Sequence, residues 1–456
     1  MKLPLSEETT ASARRWQCCN SHSIYIAEAT KAKHGIKLLK RISLSNFKGL
    51  STADIELSKL NLFVGENGTG KSSVIQGLSI LKRSMGGNAI ITDLPYLNLG
   101  QLTDIVAPGQ ISSIGIEGNV PVDLTALNAE NADFKCTVKF DAQGLFEYET
   151  EISPNWKTSK LNIHNVWTRY GVSKIEPKSW QYEGFVFGFG FTNSIGLAFA
   201  AGGFGMQRPM SSDQAAMGQR IHASLVNLSQ AIRVELERTY VVPTTRGLTE
   251  PVYLLQPNAT SEFSPRAGPI PMGTALATNL TYNRHNQDKI DRWQKEILGV
   301  GVEYHLEPGP SIFIRNPDNK VNYVNEGFGS NQMLFVFERI ANSPEDSLIA
   351  IEEPEIHVHP KAQFKLGLVA SEIVKEEKKQ LLLITHSEHV VSGVLTAIRN
   401  EKLQPQEVSL WFFEKKGLKH TATRSEIDKE GKTSGALKSF LEAALGELSD
   451  YVKSSR

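Results

Sequence analysis

Residues 64–73, with the sequence Val-Gly-Glu-Asn-Gly-Thr-Gly-Lys-Ser-Ser, constrain this chain more than any other stretch. They match G-x-x-x-x-G-K-[ST], the pattern of a loop that binds phosphate groups. Gly65, Gly68 and Gly70 let the backbone turn tightly and direct its N–H groups at phosphate oxygens. Lys71 supplies a positive charge for the β- and γ-phosphates, and the Ser72 hydroxyl can be a ligand for Mg²⁺.

The residues on either side of this loop have the patterns of a strand and a helix. Residues 60–64 form a short apolar run, which is typical of a buried strand. Residues 73–82 have Val74, Ile75, Leu78 and Leu81 at helical spacing. A helix that begins at the loop adds partial positive charge where a phosphate would bind. The alternative is a glycine-rich turn that happens to precede Lys-Ser, and the flanking elements count against it.

A second part of the site is predicted where residues 347–351, an apolar strand, run into the carboxylates Glu352 and Glu353. This is the form of a Walker B strand. In such sites the first acid holds Mg²⁺ directly or through water, and the second orients or deprotonates the attacking water. The alternative is an ordinary acidic turn after a buried strand, and the phosphate loop elsewhere in the chain favours the Walker B interpretation.

A third part is predicted after residues 380–385, the next buried strand, which leads into His386. A histidine at the carboxyl end of such a strand can hydrogen-bond the γ-phosphate and fix the water molecule. A lone histidine is more often structural, but its position one strand after the paired acids favours the functional role.

Residues 325–332, Asn-Glu-Gly-Phe-Gly-Ser-Asn-Gln, precede an apolar helix predicted at 333–340. Two glycines and Ser330 at a helix N-terminus can bind phosphate through backbone N–H groups. The alternative is a plain helix cap, and this signal alone does not decide between them.

The composition limits which other functions and locations the chain can have. The 456 residues include 49 basic and 49 acidic side chains, so zero net charge gives no electrostatic case for strong nonspecific nucleic-acid binding. Cys18, Cys19 and Cys136 form neither a disulfide framework nor a metal-site spacing, which favours a reducing cytoplasm. No apolar segment follows Arg14 and Arg15, so we expect no signal peptide.

The motifs, in this order, resemble those of the ABC-type ATPases of the SMC and OLD kind. Residues 46–48, Asn-Phe-Lys, are similar to the opening strand motif that contacts the base and ribose side of the nucleotide. Gln101 lies where a metal-sensing Q-loop would be, and residues 327–332 resemble a degenerate signature motif. Residues 352–360, Glu-Glu-Pro-Glu-Ile-His-Val-His-Pro, are similar to the E-E-P-E-x-x-L-H-P run of OLD-type ATPases, with Val358 replacing Leu. His386 matches the H-loop.

This resemblance implies an α/β fold: an ABC-type ATPase head with a central, mainly parallel sheet flanked by helices, an antiparallel β subdomain and an inserted helical or loop region. It implies ATP and Mg²⁺ as cofactors and hydrolysis of ATP to ADP and phosphate. The implied catalytic residues are Lys71, Glu353 and His386, and the implied metal residues are Ser72, Glu352 and Gln101. The implied nucleotide contacts are Phe47, Lys48, Asn67, Gly68, Thr69, Gly70, Lys71, Ser72, Ser73 and, from a second copy of the chain, Ser330.

The implied organisation has four parts: an N-terminal extension at 1–35, an ATPase lobe with the phosphate loop at 36–120, an inserted lid or assembly region at 121–300, and a second ATPase lobe at 301–456. Further strands are predicted at 38–47, 53–57, 302–306, 311–315 and 320–324, helices at 214–237 and 286–298, and a long surface loop at 247–280. Uncharged residues 184–207, rich in Gly and Phe, favour a buried hairpin or a subunit contact over a membrane segment.

The resemblance also suggests a biological role. Long coiled coils, as in SMC proteins, are not evident, and the residues after His386 are too few for the TOPRIM nuclease domain of OLD proteins. A stand-alone ATPase subunit of this kind is found in two-gene phage-defence systems such as PARIS and Septu. We therefore expect a cytoplasmic homodimer or higher homo-oligomer that senses a trigger, such as a phage protein, and controls a separately encoded nuclease or toxin, with no membrane partner. The alternatives are a DNA-binding, SMC-like ATPase of repair or maintenance and an ATP-dependent scaffold with little turnover.

Overall fold

The computed structural model describes residues 39–434, except 85–88, 125–128, 157–162, 170, 177–178, 183–184, 191–199, 202–211, 257–271, 308–310 and 418. The described strands are β1 Leu39–Phe47, β2 Leu50–Glu56, β3 Leu60–Gly65, β4 Asp93–Leu94, β5 Leu97–Asn98, β6 Ser112–Leu124, β7 Ala129–Asp141, β8 Gly144–Trp156, β9 Ile163–Thr168, β10 Gly171–Glu176, β11 Ser179–Tyr182, β12 Phe185–Gly190, β13 Ala200–Ala201, β14 Thr239–Val242, β15 Val252–Leu254, β16 Glu303–Glu307, β17 Ser311–Arg315, β18 Leu348–Glu352, β19 Gln380–Thr385, β20 Val408–Lys416 and β21 Lys419–Ser425.

The described α-helices are α1 Lys71–Ser84, α2 Leu102–Ile105, α3 Ser212–Glu237, α4 Met272–Tyr282, α5 Gln287–Leu298, α6 Phe328–Asn342, α7 Pro360–Glu376 and α8 Glu388–Arg399. Short 3₁₀ turns lie at Arg284–Asn286, Tyr323–Asn325 and Pro405–Glu407. In the part of the chain that the structure describes, no helix is both long enough and apolar enough to cross a membrane.

One 13-stranded sheet organises the molecule, in the order β10-β9-β8-β7-β6-β1-β2-β21-β20-β3-β19-β18-β14. From β20 to β14, the five strands β20, β3, β19, β18 and β14 pair parallel with one another in that order. β21 joins them to the rest of the sheet, antiparallel to β20 and parallel to β2. The strands from β10 to β2 are antiparallel and continue the same sheet. The predicted α/β fold with a mainly parallel central sheet, flanking helices and an antiparallel β part is therefore confirmed.

Two hydrophobic clusters cover the two faces of the parallel strands. In β3, Phe63 belongs to the cluster that includes residues of α1 and α3, whereas Leu62 and Val64 belong to the cluster that includes residues of α5 to α8. β18 and β19 alternate between the two clusters in the same way. Because both faces are covered, these strands are apolar at almost every position, which is why the sequence predicts them well.

Two local predictions are wrong. The strand predicted at 320–324 is a turn followed by a 3₁₀ turn, because Lys320 adopts φ 62 and its N–H bonds back to the Asn316 carbonyl at 3.0 Å. The surface loop predicted at 247–280 contains β15 and α4. Leu276 and Leu280 of α4 are buried, and Asn279 donates a 2.8 Å hydrogen bond to Glu338.

The uncharged stretch 184–207 lies only partly within the described residues. Its β12 pairs antiparallel with β11, and β13 pairs antiparallel with β12. A hairpin is therefore present, while residues 191–199 and 202–207 and the predicted extension at 1–35 lie outside the described residues.

Candidate nucleotide-binding site

The phosphate loop, the paired acids and the histidine meet at one edge of the parallel sheet. In register, Val64 of β3 lies beside Thr385 of β19, and Ile384 lies beside Glu352 of β18. The phosphate loop, the paired acids and the histidine therefore leave the sheet at the same level. The carboxyl ends of parallel strands are where ligands bind in open α/β sheets.

The phosphate loop has backbone geometry that requires glycine. Gly65 has φ +146, and a Cβ atom there would lie 2.1 Å from the carbonyl oxygen of Phe413 in the neighbouring strand β20. Gly68 and Gly70 have φ +73 and +99. The loop thus reverses sharply between β3 and α1, and it places the N-terminus of α1 at the sheet edge.

Lys71 begins α1 and folds back into the loop. Its Nζ donates to the carbonyls of Gly65 at 2.9 Å and Glu66 at 2.7 Å, and the side chain is only 4% exposed. Burial lowers the pKa of Lys71 to about 8, although nearby glutamates, Glu353 first, oppose the shift. The carbonyls therefore hold the ammonium at the place where a phosphate oxygen would compete for it.

The other loop residues frame this ammonium. Thr69 is buried and its hydroxyl donates to the Glu66 carbonyl at 2.8 Å, and the Ser73 N–H bonds the Gly70 carbonyl at 3.1 Å. Asn67 and Gly68 are exposed at the tip of the loop.

Glu352 and Ser72 form a polar pair with room for a cation. Burial raises the pKa of Glu352, and hydrogen bonds from the Ser72 hydroxyl and the Thr244 backbone oppose the shift. The Oε1 atom of Glu352 is buried, and it has no hydrogen-bond partner among the described residues. An unpaired buried carboxylate oxygen beside a serine hydroxyl suits Mg²⁺, which prefers oxygen ligands. The residues present therefore fit the expected metal.

Glu353 lies opposite His386. Its carboxylate Oε1 is 3.8 Å from His386 Nε2, and both side chains are about one-third exposed. Burial lowers the pKa of His386, the Lys71 charge lowers it further, and Glu353 and a hydrogen bond to the Gly65 backbone oppose the shift. His386 is therefore neutral at pH 7. Glu353 itself adopts φ 43, a conformation that is unusual for a residue with a side chain.

Glu355 supports His386, a role that the sequence analysis did not assign. Its Oε1 accepts hydrogen bonds from the Thr385 hydroxyl at 2.6 Å and from the His386 backbone N–H at 2.9 Å. Ser387 continues the network by donating to Gln363 at 2.6 Å. Burial raises the pKa of Glu355. The acidic run after β18 therefore also fixes the loop that carries the histidine.

Phe47 and Lys48 have different positions from those implied for a nucleotide contact. The Phe47 ring is 0% exposed and packs edge-on against Phe140 in the core, so its side chain does not reach the site. The implied contact is therefore wrong for the Phe47 side chain. Asn46 adopts φ 50 and breaks the alternation that turns Ile42 and Leu44 inward, so Phe47 is buried instead of residue 46. Lys48 donates to Gln76 of α1 at 2.7 Å, and it interacts electrostatically with Glu352.

No contact among the described residues brings Gln101 or Ser330 to Lys71. Gln101 is exposed and caps α2, where its N–H bonds the Asp104 carboxylate at 2.7 Å. Ser330 lies in the first turn of α6, where its carbonyl accepts from Gln294 at 3.1 Å. Their roles as metal ligand and as contact from a second copy remain predictions.

Two further residues near the loop escaped the sequence analysis. His420 of β21 approaches the loop closely, because Cβ atoms on Gly49 and Gly70 would lie 3.3 and 3.5 Å from its Nδ1. That nitrogen is buried, and no residue in the described part of the chain hydrogen-bonds to it. Arg246 bonds the carbonyls of Glu352 and Glu353, both at 2.8 Å. Neither residue belongs to a recognisable motif, so only the fold reveals them.

The fold and this site define a nucleotide-binding protein of the phosphate-loop class. The chain belongs to the AAA ATPase domain family, whose model matches residues 38–169 and 271–391, more than half of the sequence.

Solved structures with a similar fold include SMC heads. One is the SMC head domain from Thermotoga maritima, with 12% identity and a TM-score of 0.38 over 86% of this chain and 100% of that chain. Another is the Smc head domain with an extended coiled coil bound to the C-terminal domain of ScpA derived from Pyrococcus furiosus, with 10% identity and a TM-score of 0.43 over 91% and 99% of the two chains. No curated protein matches the sequence significantly.

Proposed function

We propose that this protein binds ATP with Mg²⁺ and hydrolyses it to ADP and phosphate. The proposal rests on one observation: Lys71, Ser72, Glu352, Glu353 and His386 meet at the carboxyl ends of three adjacent parallel strands. Each side chain is of the type that phosphoryl transfer requires at that position.

In the proposed reaction, a water oxygen attacks the γ-phosphorus while the bond to the β-γ bridging oxygen breaks. Glu353 orients the water and accepts its proton, and neutral His386 hydrogen-bonds the γ-phosphate. Lys71 leaves the Gly65 and Glu66 carbonyls to bind phosphate oxygens. Ser72 and Glu352 would hold Mg²⁺, which would neutralise charge on the phosphates.

We further propose that the site is completed by a second copy of the chain, through Ser330. The first turn of α6 is open to such a contact, because Phe328 within it is 73% exposed. Its ring lies tilted against that of His357, at 5.7 Å between ring centroids. The competent form is then a homodimer or a larger homo-oligomer, and the exposed turn supplies partial positive charge for the partner's phosphates.

The test is Glu353→Gln, with the exposed Glu401→Gln as a matched control. We expect the first variant to lose about 10²- to 10⁴-fold in turnover, because the water loses its base, while ATP binding persists. Mass photometry with ATP is expected to show a larger share of oligomers than in the wild type. Unchanged hydrolysis in Glu353→Gln would refute the site, and wild-type ATP binding without phosphate release would favour the scaffold alternative.

For the cellular role, we propose that this OLD-like ATPase acts in the cytoplasm in phage defence, where the ATP-dependent oligomer controls a separately encoded nuclease or toxin. The rival role, DNA maintenance, needs a basic surface. In the described sheet, exposed cations on the antiparallel part are instead paired with acids: Lys40 with Asp133, Arg41 with Asp54, Lys135 with Glu117 and Lys139 with Glu147. This neutral surface favours control of a protein partner.

Two measurements separate these roles. Native co-purification in the presence of ATP is expected to capture a nuclease or toxin, and a phage protein as trigger is expected to release its activity. Duplex DNA binding that weakens steeply between 50 and about 200 mM salt would instead support the maintenance role.

A further inference from the structure

We propose that residues 243–248, the segment after β14, couple the first turn of α6 to the paired acids and so position Glu353 for catalysis. This segment is called the 243–248 strap below. Its central residue is Arg246, a positioning residue rather than a catalytic one. The inference rests on the proposed ATPase function and adds to it how one end of the site controls the other.

Arg246 bonds four backbone carbonyls from three segments. Its guanidinium donates to Pro243 at 2.7 Å, to Glu352 and Glu353 at 2.8 Å each, and to Gln332 in the first turn of α6 at 3.2 Å. The side chain is 7% exposed. Burial lowers its pKa to about 10, so the group remains charged at neutral pH. One buried cation therefore joins the predicted signature turn to the acidic end of β18.

The strap has two further attachments. The Asn331 side chain accepts from the Leu248 N–H at 2.6 Å and donates to the Leu248 carbonyl at 3.1 Å, which clamps the strap to α6. At the other end, a hydrogen bond from the Thr244 backbone reaches the Glu352 carboxylate. These hydrogen bonds to backbone atoms therefore transmit a movement of the first turn of α6 to both Glu352 and Glu353.

The Glu353 peptide is the element most sensitive to this link. The residue adopts φ 43, its N–H bonds the Ile384 carbonyl at 2.8 Å, and its own carbonyl bonds Arg246. A left-handed conformation costs a non-glycine residue on the order of 1 kcal/mol, so it persists only where the surroundings fix it. Loss of the guanidinium frees one side of this peptide, and the carboxylate loses its fixed direction toward His386.

The consequence for the ATPase follows from the position of Ser330 in the same helical turn. If that turn contacts the nucleotide of a second copy, the contact shifts or stabilises Gln332 and Asn331, and the strap transmits this to Glu353. A chain without its partner then holds ATP but keeps its base poorly fixed. The strap makes hydrolysis depend on assembly.

A purely structural role for Arg246 would be to anchor α6, and Lys379 provides the matched control. It is 2% exposed and donates to the carbonyls of Ile340 and Ala341, at the opposite end of the same helix. Lys379→Met therefore removes a buried cation that anchors α6, without touching either acid.

The experiment compares Arg246→Lys, Asn331→Ala and Lys379→Met with the wild type in ATP affinity, single-turnover hydrolysis, thermal stability and activity against protein concentration. We expect Arg246→Lys and Asn331→Ala to bind ATP within about twofold of wild type but to hydrolyse it about 10- to 100-fold more slowly, because a small misplacement of a catalytic group has this effect. The rise of activity with concentration should also flatten.

Lys379→Met is expected to lower stability while its rate stays within about threefold of wild type. The strap is refuted if Arg246→Lys retains the wild-type rate, or if Lys379→Met loses as much rate as Arg246→Lys. Should Arg246→Lys fail to fold, Asn331→Ala decides alone. An inactive wild type would overturn the proposed function, whereas an active wild type with unaffected strap variants overturns only this inference.

Discussion

ATP binding is expected to take up a proton at alkaline pH, because of Lys71. In the free protein this ammonium is buried among loop carbonyls, and burial lowers its pKa to about 8. The anionic phosphates of ATP favour the charged form and raise that pKa. At pH 7 Lys71 of the free protein is already protonated, so ATP binding takes up almost no proton. Above pH 8 the free protein has lost the proton and must regain it on binding.

The size of the effect follows from this pKa. About 0.9 of a proton is expected per ATP at pH 9, and about 0.1 at pH 7. Over the same range, ATP affinity falls about tenfold per pH unit above 8, until the pH reaches the pKa of the bound form. Phosphate groups complete their own titration near pH 6 to 7, so they do not contribute at pH 9.

Isothermal titration calorimetry with a non-hydrolysable ATP analogue, in buffers of different ionisation enthalpy, measures the uptake directly. Lys71→Arg is the control, because the guanidinium remains charged across this range and its uptake should vanish. Uptake below about 0.2 proton at pH 9 in the wild type would refute the argument. Uptake that persists in Lys71→Arg would show that a group other than Lys71 takes up the proton.

Two other substitutions test the loop. Gly65→Ala is expected to destabilise the fold by about 3 kcal/mol, because the new Cβ would overlap the Phe413 carbonyl. At Gly68 a new Cβ would have no atom of the described residues within 4 Å, so Gly68→Ala should cost only about 1 kcal/mol, from its positive φ. Equal melting temperatures for the two would contradict this. His420→Ala is expected to weaken ATP binding about 2- to 10-fold at nearly unchanged melting temperature, since its unpaired Nδ1 borders the loop. An unchanged dissociation constant would remove His420 from the site.

The sequence predicted the centre of the site because local patterns encode it. The phosphate loop needs glycines at fixed spacing, and the strands that end at Glu352 and His386 are buried on both faces, so their apolar runs are continuous. The prediction did not need the order of the strands. Parallel strands all end at the same edge of a sheet, so the residues that follow them lie near one another.

The supporting residues could not be predicted in the same way. Arg246 acts through backbone carbonyls of residues 86 to 107 positions away. Every residue has a backbone carbonyl, so the sequence does not indicate which ones accept these hydrogen bonds. Phe47 was assigned from its motif, whereas a break in the alternation of β1, where Asn46 adopts φ 50, decides which way its ring faces. The helix α4 lacks strong amphipathic spacing and follows a Pro- and Gly-rich segment, so the sequence pattern predicted a loop there.

The charges of the site explain why one chain is expected to be insufficient. Four carboxylates, of Glu66, Glu352, Glu353 and Glu355, interact with three cations: Lys48, Lys71 and Arg246. These groups carry no excess positive charge before any ligand binds, and the Arg246 donors are already bonded to carbonyls. A polyanionic triphosphate therefore needs positive charge that these side chains do not supply. Mg²⁺ held by Glu352 would provide one part, and the helix N-terminus at Ser330 of a second copy would provide the other. The same charge balance that stabilises the empty site thus favours a composite one when ATP is bound.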